Sequence, residues 1–324
     1  MTKDIVFICD DNYCMPTAVC IQSIIDKIVD DIGVITIHVC TFGLMEKNIL
    51  LLQGLSTSSV KVVVDTFDTA QYEDRINSIK QKSHVTPTAL IKFEIANYFS
   101  ELQSILYMDS DMVVKGDLSE LLRLDIGDSY IGAAYEFWKH LIRMSYTLRR
   151  SVSKKFYFNS GVMILNLRKM REDNVADKLW YYKLNKAKTT LMDQESLNAV
   201  CASTAYQLPV KWNFNPYFLK QIYINEINRV YKTDYKTLEQ MEDDVCIIHY
   251  VGPTDKPWKY STANMREYWV KAFNSTGIRV ELDLKVAEKI NLTRWESISC
   301  KIKTQGFYGF VCFVINKLLG RNTL

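Results

Sequence analysis

The sequence predicts an α/β fold with a mainly parallel central sheet, on three observations. Runs of β-branched residues alternate with helical segments, which is the pattern of a parallel sheet covered on both faces. At 324 residues, of which 48% are hydrophobic and 24% charged, the chain can bury a large core, which excludes a disordered or collagen-like protein. Two acidic residues directly follow one apolar run, and ligands of open α/β sheets bind at such strand ends.

The N-terminal elements follow from hydrophobic periodicity and from helix-start signals. Clusters of β-branched residues predict three strands, and helical patterns lie between them. These elements are the strands at 5–9, 34–40 and 60–64 and the helices at 17–28 and 46–55. A further helix is predicted at 88–99, because Thr86 suits an N-cap and Pro87 the first helical position.

The predicted elements become less regular after this helix. They are a buried strand at 104–108, a short helix at 118–122, strands at 130–134 and 161–167, and a helix through Trp180. The sequence contains no internal repeat and no low-complexity linker. One α/β domain is therefore expected over residues 1–265, followed by a C-terminal helical region over residues 266–324.

Two carboxylates, Asp109 and Asp111, follow the predicted strand at 104–108. Residues i and i+2 of an extended chain point to one face, so both side chains can converge on one hard cation. A bare Asp-x-Asp pair is commonly a solvated turn or a helix cap, but this pair is the only one in the sequence and ends a buried run. Its position predicts a divalent cation site that could hold a diphosphate.

A second candidate ligand, His249, ends the apolar run at residues 245–248. Its imidazole nitrogen suits a borderline cation such as Mn²⁺, whose oxygen-rich shell accepts one nitrogen. Gly252 would let a phosphate approach the backbone, and Lys256 would add a positive charge beside it. The alternative, a core histidine followed by a proline-containing turn, stays open from these residues alone.

Five blocks of sequence, in order along residues 4–258, together resemble a known family. The blocks are residues 4–13, 106–114, 157–167, 193–198 and 249–258. They are similar to the motifs of the retaining glycosyltransferases of family eight, which include bacterial lipopolysaccharide galactosyl- and glucosyltransferases and glycogenin. The last block carries one extra residue between Gly252 and Lys256.

The resemblance implies a GT-A fold, which is Rossmann-like, and a UDP-sugar donor. It implies that Asp109, Asp111 and His249 hold a divalent cation, either Mn²⁺ or, as the second choice, Mg²⁺. The residues implied for the nucleotide and its diphosphate are Asp10, Asn12, Tyr13, Asp109, Ser110, Gly252 and Lys256.

The resemblance also implies residues for the sugar and for the chemistry. Gln194 would lie near the reacting face of the donor sugar, and Asp193 would hold its hydroxyls. Asn159 is implied as a sugar contact and Glu136 as an acidic acceptor contact. Since an amide is a poor nucleophile, a front-face reaction is favoured over a covalent intermediate. From the residues alone, Asp193 also suits a helix N-cap and Asn159 a turn.

The departure from this family that matters most lies before the metal motif. Where many relatives have Thr-x-x-Arg before the metal motif, Leu90 aligns with the arginine. A leucine cannot make a charged contact with diphosphate or sugar hydroxyls. Either Lys92 or another residue therefore supplies the positive charge, or the donor sugar differs from UDP-galactose and UDP-glucose.

The C-terminal region differs in charge from the rest of the chain. Residues 285–324 contain seven basic and two acidic residues, a net charge of +5, whereas the whole chain carries +3 and residues 1–284 therefore −2. The apolar segment 306–315 is far shorter than the roughly 20 residues that span a bilayer. We expect this region to bind an anionic membrane surface, with a helix docked on the body as the alternative. Nucleic acid is not an expected partner, because no groove-reading motif is present.

The cellular compartment follows from cysteine use and from the N-terminal residues. Eight cysteines form no Cys-x-x-Cys pair, which predicts reduced thiols. No apolar segment with a cleavage site follows Met1, so a secretory signal is not expected. We expect a cytoplasmic protein that is peripherally associated with the inner face of the cytoplasmic membrane. Basic pairs within residues 138–155 favour an anionic glycolipid acceptor, with a solvated loop as the alternative.

The predicted function is that of a metal-dependent retaining glycosyltransferase that moves a hexose, galactose or glucose, from a UDP-sugar to a cell-surface glycan such as lipopolysaccharide core or capsule. Two other interpretations stay open. A metal-dependent nucleotidyltransferase could use the same carboxylates, but it would not need the block formed by Asp193 and Gln194. A catalytically silent relative could bind UDP or a glycan, which Leu90 would explain. The oligomeric state is not predicted.

Overall fold

The fold is described from a computed structural model for residues 2–28, 32–79, 87–137, 157–187, 193–252 and 255–286. Short apolar runs form most of its strands, and five of them are buried at every residue or at all but one terminal residue. The strands are β1 (Asp4–Ile8), β2 (Ile35–Thr41), β3 (Val60–Thr66), β4 (Ser104–Met108), β5 (Met112–Val114), β6 (Ile131–Tyr135), β7 (Phe158–Asn166), β8 (Tyr206–Gln207) and β9 (Ile247–His249).

The central sheet is mixed and mainly parallel, as predicted. Seven strands pair in the order β3-β2-β1-β4-β7-β6-β8, and β5 pairs with β9 in a separate two-stranded sheet. The strands β1 to β4 run parallel, whereas β7 lies antiparallel between β4 and β6. The order along the sheet reverses between β1 and β4, which is where open α/β sheets bind their ligands.

Helices cover both faces of this sheet. They are α1 (Cys14–Ile25), α2 (Glu46–Gln53), α3 (Glu73–Asn77), α4 (Ile95–Tyr98), α5 (Ser119–Arg123), α6 (Leu167–Glu172), α7 (Val175–Asn185), α8 (Gln194–Cys201), α9 (Ile224–Tyr231), α10 (Leu238–Asp244) and α11 (Arg266–Ser275). Ile5 and Phe7 pack into one buried cluster with α1, whereas Val6 packs into a second cluster with α7. Strands buried on both faces are apolar at consecutive positions, which is why β1 and β4 were predicted well.

Strand β7 is longer than predicted, and its extra residues matter for the site. It begins at Phe158 instead of residue 161, so Asn159 lies within a strand and not in a turn. The pairing of β7 with β4 continues one residue beyond the C-terminal end of β4, since the backbone N–H of Asp109 donates to the carbonyl of Gly161 at 2.8 Å. The first carboxylate of the acidic pair is thereby fixed against β7.

The small sheet brings the second acidic residue to the histidine. In the antiparallel pairing of β5 with β9, Met112 lies opposite His249. The backbone N–H of Tyr250 donates to the carbonyl of Asp111 at 3.0 Å. Two chain segments far apart in sequence therefore place their ligand-bearing residues side by side.

The predicted helix at 88–99 is wrong as a continuous α-helix. Residues Pro87–Phe93 form a 3₁₀ helix and only Ile95–Tyr98 are α-helical, while Thr86 lies outside the described residues. In a 3₁₀ helix residues i and i+3 share a face. Ala89 and Lys92 consequently face the cleft together, while Phe93 is buried in the core.

Two further predictions concern the later elements. The helix expected through Trp180 is divided into α6 and α7 at Asn174, whose φ of 51° is left-handed, a conformation that asparagine tolerates. The predicted boundary at residue 265 falls just before α11, whose Trp269 and Ala272 pack into the same buried cluster as Tyr250.

The described residues include six of the eight cysteines but not the apolar segment of the C-terminal region. The six cysteines within the described ranges are free, and all except Cys246 are buried. Across those same ranges, none of the helices combines the length and the apolar character that crossing a membrane requires. The apolar segment 306–315 and the basic pairs within 138–155 lie outside the described residues.

Candidate active site

A cleft of about 490 Å³ opens at the carboxyl ends of β1 and β4, the point where the strand order reverses. The size suits a small-molecule ligand. All of the residues predicted for the site line this cleft except Asn12. They are Asp10, Tyr13, Asp109, Ser110, Asp111, Glu136, Asn159, Asp193, Gln194, His249, Gly252 and Lys256.

Asp109, Asp111 and His249 form the cation end of the cleft. Their ligand atoms lie within 4.8 Å of one another, and no other group of three such side chains does so among the residues described. The Nε2 atom of His249 is 3.2 Å from Asp111 Oδ1 and 3.9 Å from Asp109 Oδ2. Two carboxylates and one imidazole fit a divalent cation such as Mn²⁺, which takes mainly oxygen ligands.

Asp111 is kept ionised by positive charge around it. Burial would raise the pKa of its carboxyl, but Lys256 and His249 outweigh burial and lower that pKa well below its ordinary range. The ammonium of Lys256 donates to Asp111 Oδ2 and to the carbonyl of Tyr250. Its own pKa is raised by Asp111, against the effect of burial. Both charges of this pair are therefore present at neutral pH.

Asp109 is held through its other oxygen. Its Oδ1 atom accepts from the hydroxyl of Tyr107 at 2.6 Å and lies 3.1 Å from the ammonium of Lys92. Burial raises the pKa of the Tyr107 hydroxyl well above its usual value, and Asp109 adds to this effect, so the hydroxyl stays a donor. Asp109 Oδ2 is the oxygen nearer to His249 and points toward the cation end.

Lys92, and not Leu90, brings a positive charge to the cleft. Leu90 is buried in the core and does not line the cleft. The ammonium of Lys92 lies between Asp109 and Asp193, donating to Asp193 Oδ2 at 2.6 Å, with the ring of Tyr107 4.6 Å away. Burial would lower the pKa of Lys92, but the two carboxylates raise it above its ordinary value. From the sequence alone, Lys92 is only one of the possible substitutes for the arginine.

Asp193 and Gln194 are oriented by β7. Asp193 makes no side-chain capping hydrogen bond to α8; its Oδ2 instead accepts from Lys92 and, at 2.9 Å, from the Ser160 hydroxyl. The Gln194 side chain accepts from the backbone N–H of Ser160 at 3.2 Å and donates to Glu136 at 3.3 Å. Both residues therefore face the cleft with defined orientations.

The part of the cleft lined by Asp10 and Tyr13 contains fewer fixed contacts. Asp10 Oδ1 accepts from the backbone N–H groups of Asn12 and Tyr13 at 3.0 and 3.2 Å, which shapes the turn before α1. The ring of Tyr13 meets Trp258 edge to face at 6.0 Å. The Ser110 hydroxyl donates to the Ile8 carbonyl, so its side chain connects the acidic pair to β1.

Gly161 leaves the space that the ring of His249 occupies. A Cβ atom at residue 161 would lie 2.3 Å from His249 Cε1 and 2.9 Å from Asn159 Oδ1. No side chain can approach so closely without displacing the ring. The glycine of the Phe-Asn-x-Gly-Val block is thus required by packing against the cation ligand.

Asn213 is a site residue that the sequence analysis missed. It is 8% exposed, and its Oδ1 lies 2.8 Å from His249 Nδ1. It belongs to none of the five blocks and lies in no periodic segment, so no local signal distinguished it. Only its proximity to His249 in the folded chain reveals it.

Known proteins are similar to this chain in sequence and in fold. A sequence model of Glycosyl transferase family 8 matches residues 4–262. Lipopolysaccharide 1,2-glucosyltransferase of Escherichia coli is 30% identical over 261 residues, covering 77% of this chain and 71% of the relative. Lipopolysaccharide 1,3-galactosyltransferase of Salmonella typhimurium (strain LT2) is 25% identical, covering 61% and 58%. Galactosyltransferase LgtC, solved with donor and acceptor sugar analogs, gives a TM-score of 0.67 at 23% identity over 86% of this chain and 98% of LgtC. The predicted GT-A fold is confirmed.

Proposed function

As this chain belongs to glycosyl transferase family 8, we propose that it is a metal-dependent retaining enzyme that moves a hexose from a UDP-sugar to a cell-surface glycan. Glucose or galactose is the proposed hexose, and lipopolysaccharide core or capsule the proposed acceptor. The support for both is the similarity to a lipopolysaccharide glucosyltransferase and a lipopolysaccharide galactosyltransferase.

One observation carries this proposal. The three candidate cation ligands, Asp109, Asp111 and His249, line the same cleft as the carboxylate of Asp193 and the amide of Gln194. A nucleotide-sugar needs such an arrangement, because its diphosphate and its sugar must be held at once. A nucleotidyltransferase would need the cation ligands but not the second pair.

The cation end would bind the diphosphate. A divalent cation on these three ligands supplies Lewis-acid stabilisation of the leaving diphosphate, and the imidazole favours Mn²⁺ over Mg²⁺. We assign Lys256 to the diphosphate and Lys92 to the sugar side, where it also holds Asp109 and Asp193 in place. The positive charge of Lys92 in the cleft argues against a silent relative, for which Leu90 had been the main reason.

The sugar end would orient the reacting groups. Asp193 accepts hydrogen bonds from donor hydroxyls while Lys92 and Ser160 fix its position. The Gln194 amide is held at both ends and orients the sugar instead of attacking it. The acceptor hydroxyl, hydrogen-bonded to Glu136, attacks from the face on which the diphosphate leaves, and its proton passes to the leaving phosphate oxygen. Attack on that face retains the anomeric configuration.

The test is UDP release across a panel of UDP-sugars with Mn²⁺, for wild type, Asp111→Ala and the exposed control Asp128→Ala. We expect one donor to be consumed by wild type and by the control but not by Asp111→Ala. If nucleoside triphosphates release pyrophosphate instead, the enzyme is a nucleotidyltransferase. If UDP binds but no donor is consumed with any glycan acceptor, the protein is a silent binder. Either result overturns the proposal.

We also propose that the enzyme works at the inner face of the cytoplasmic membrane, held by its C-terminal region. The net charge of +5 over residues 285–324 supports this. The full chain should sediment with vesicles that contain phosphatidylglycerol but not with pure phosphatidylcholine vesicles, and high salt should release it. The double variant Lys301→Glu with Lys303→Glu should bind less, whereas the control Lys259→Glu should not.

A further inference from the structure

A series of side-chain hydrogen bonds connects the cation end of the cleft to its sugar end. His249 Nδ1 lies 2.8 Å from Asn213 Oδ1, and Asn213 Nδ2 donates to Asn159 Oδ1 at 2.9 Å. Asn159 Nδ2 donates to Glu136 Oε2 at 2.8 Å, and Gln194 donates to the same oxygen at 3.3 Å. Asn213 therefore joins the imidazole of His249 directly to Asn159, and Asn159 continues the series to Glu136.

The direction of these hydrogen bonds is set by a backbone group. The N–H of Gly161 donates to Asn159 Oδ1 at 2.9 Å, so that atom must be the amide oxygen. Asn213 must then present its NH₂ group to Asn159 and its oxygen to His249. The carboxylate of Glu136 accepts from the other end of the Asn159 amide, which agrees with this orientation.

An amide oxygen can only accept, and this determines which nitrogen of His249 is free. The ring must keep a proton on Nδ1 to donate to Asn213. The other nitrogen, Nε2, is the one that faces Asp109 and Asp111. A histidine that binds a metal through one nitrogen commonly donates the other to such a partner, which holds both ring orientation and protonation.

The backbone keeps Asn213 at this distance. Its neighbour Phe214 donates through its backbone N–H to the Ile247 carbonyl at 3.0 Å, and its carbonyl accepts from the backbone N–H of His249 at 2.8 Å. Asn213 is buried, and its own N–H donates to Val210. The segment that carries Asn213 is thus held by backbone hydrogen bonds against β9, the strand that carries His249.

We propose that Asn213 is a positioning residue that keeps the Nδ1 proton on His249, directs Nε2 to the cation and joins this ligand to the acceptor-side pair of Asn159 and Glu136. The acceptor part of this inference rests on the proposed function; the cation part does not. Asn213 touches neither the candidate ligands' carboxylates nor the cleft, so it acts through its two neighbours.

Two substitutions separate the roles of the amide. Asn213→Ala removes both contacts. Asn213→Asp keeps an oxygen for His249 but loses the donor to Asn159. The matched control is Asn185→Ala, an exposed asparagine at the end of α7 whose side chain contacts only the Tyr181 carbonyl among the contacts described.

The first readout is Mn²⁺ binding in the absence of nucleotide, followed by electron paramagnetic resonance. Asn213→Ala should raise the Kd for Mn²⁺ roughly 10- to 100-fold, the usual effect of losing such a partner. Asn213→Asp and Asn185→Ala should bind Mn²⁺ nearly as well as wild type. Equal Mn²⁺ affinity in wild type and Asn213→Ala would overturn the cation part, and circular dichroism would show that the variants are folded.

The second readout is the Nδ1 proton itself, by NMR of the Mg²⁺-loaded protein. Wild type and Asn213→Asp should show a slowly exchanging imidazole proton that disappears in His249→Gln, and Asn213→Ala should lack it. Wild-type protein without this proton would overturn the inference. Because neither readout uses donor or acceptor, a failed transferase assay would overturn the proposed function and leave this result intact.

The acceptor part is tested by kinetics once the donor is known. Asn213→Asp should raise the KM for the acceptor by a larger factor than it changes the rate of donor hydrolysis, because the link to Asn159 is lost while an oxygen for His249 remains. An unchanged acceptor KM in Asn213→Asp would overturn the coupling to the acceptor side. A parallel loss of donor hydrolysis would also overturn it, since the effect would then not be confined to the acceptor.

Discussion

Two histidines of this protein lie among carboxylates, but they are held differently. His38, on β2, has Nδ1 2.9 Å from Asp65 and Nε2 3.2 Å from Asp4, on the strands to either side. Burial lowers the pKa of His38, but the two aspartates outweigh burial and raise the pKa to about 9. Both ring nitrogens therefore carry protons at neutral pH, and neither can bind a metal.

His249 instead has a neutral amide on one side and two carboxylates on the other. Asn213 accepts from Nδ1, while Nε2 faces Asp109 and Asp111. The comparison teaches that nearby carboxylates alone do not make a histidine a ligand. Carboxylates on both nitrogens give a structural ion pair across three strands; an amide on one nitrogen leaves the other available.

The largest expected effect is the loss of donor turnover in Asp111→Asn, which removes one negative charge from the cation end. Donor turnover should fall roughly 10²- to 10³-fold, the scale for losing one electrostatic group at a reacting centre, because the cation and Lys256 both lose a charged partner. UDP release at saturating Mn²⁺ measures this. Asp65→Asn is the matched change beside His38 and should lower stability without changing kcat. Equal losses of kcat in Asp111→Asn and Asp65→Asn would contradict the distinction between the two histidines.

Removal of Lys92 should have the next largest effect. Lys92→Met leaves Asp109 and Asp193 without their shared cation and should lower the free energy of unfolding by about 3 kcal/mol, the low end for one partner of a buried pair because Asp109 is 29% exposed. Chemical denaturation measures this. Lys92→Arg keeps the charge and should retain most of the stability; an equal loss in both variants would show that size, not charge, matters.

Crowding the His249 ring should lower the free energy of unfolding by less than removing Lys92 does. Gly161→Ala places a methyl group 2.3 Å from His249 Cε1, which should lower the free energy of unfolding by about 1–3 kcal/mol and weaken Mn²⁺ binding. In the double variant with His249→Ala the ring is gone and only the 2.9 Å approach to Asn159 Oδ1 remains, so the alanine should then lower the free energy of unfolding by less. Strictly additive losses in this double-mutant cycle would rule out the ring as the cause.

The smallest expected effect is the change with pH in the stability that His38 contributes. Its pKa is about 9 in the folded protein and 6.5 ordinarily, so its contribution is fully present below pH 6.5 and is lost as pH rises through 9. After solvent screening, we expect His38 to contribute about 1–2 kcal/mol to the free energy of unfolding. Wild type should exceed His38→Gln in unfolding free energy at pH 6, with the difference fading by pH 10. A difference that grows with pH would contradict the ion-pair assignment.

The sequence predicted the strands of the parallel half closely. The strand expected at 104–108 coincides with β4, and those at 5–9 and 34–40 differ from β1 and β2 by one residue. For β1 and β4 the reason is that strands buried on both faces are apolar at consecutive positions. The acidic pair was found for the same reason, since it ends such a run.

Other parts of the site could not be predicted locally. Which of Leu90 and Lys92 faces the cleft depends on whether residues 87–93 form a 3₁₀ helix or an α-helix. The two kinds of helix have similar compositions, so the sequence does not distinguish them. Asn213 was missed because its importance lies in one hydrogen bond to His249, 36 residues away. Neither residue is marked by periodicity or by a motif.

The sequence by itself determined the kinds of ligand atoms and their positions at the ends of buried strands, because burial and periodicity are local properties. The tertiary structure alone decided which groups face each other. The pairing of β5 with β9 sets His249 beside Asp111, and the hydrogen bond from Asp109 to Gly161 sets β7 against the acidic pair. Charged and polar side chains in a buried cleft need partners, and those partners are set by strand register between distant segments.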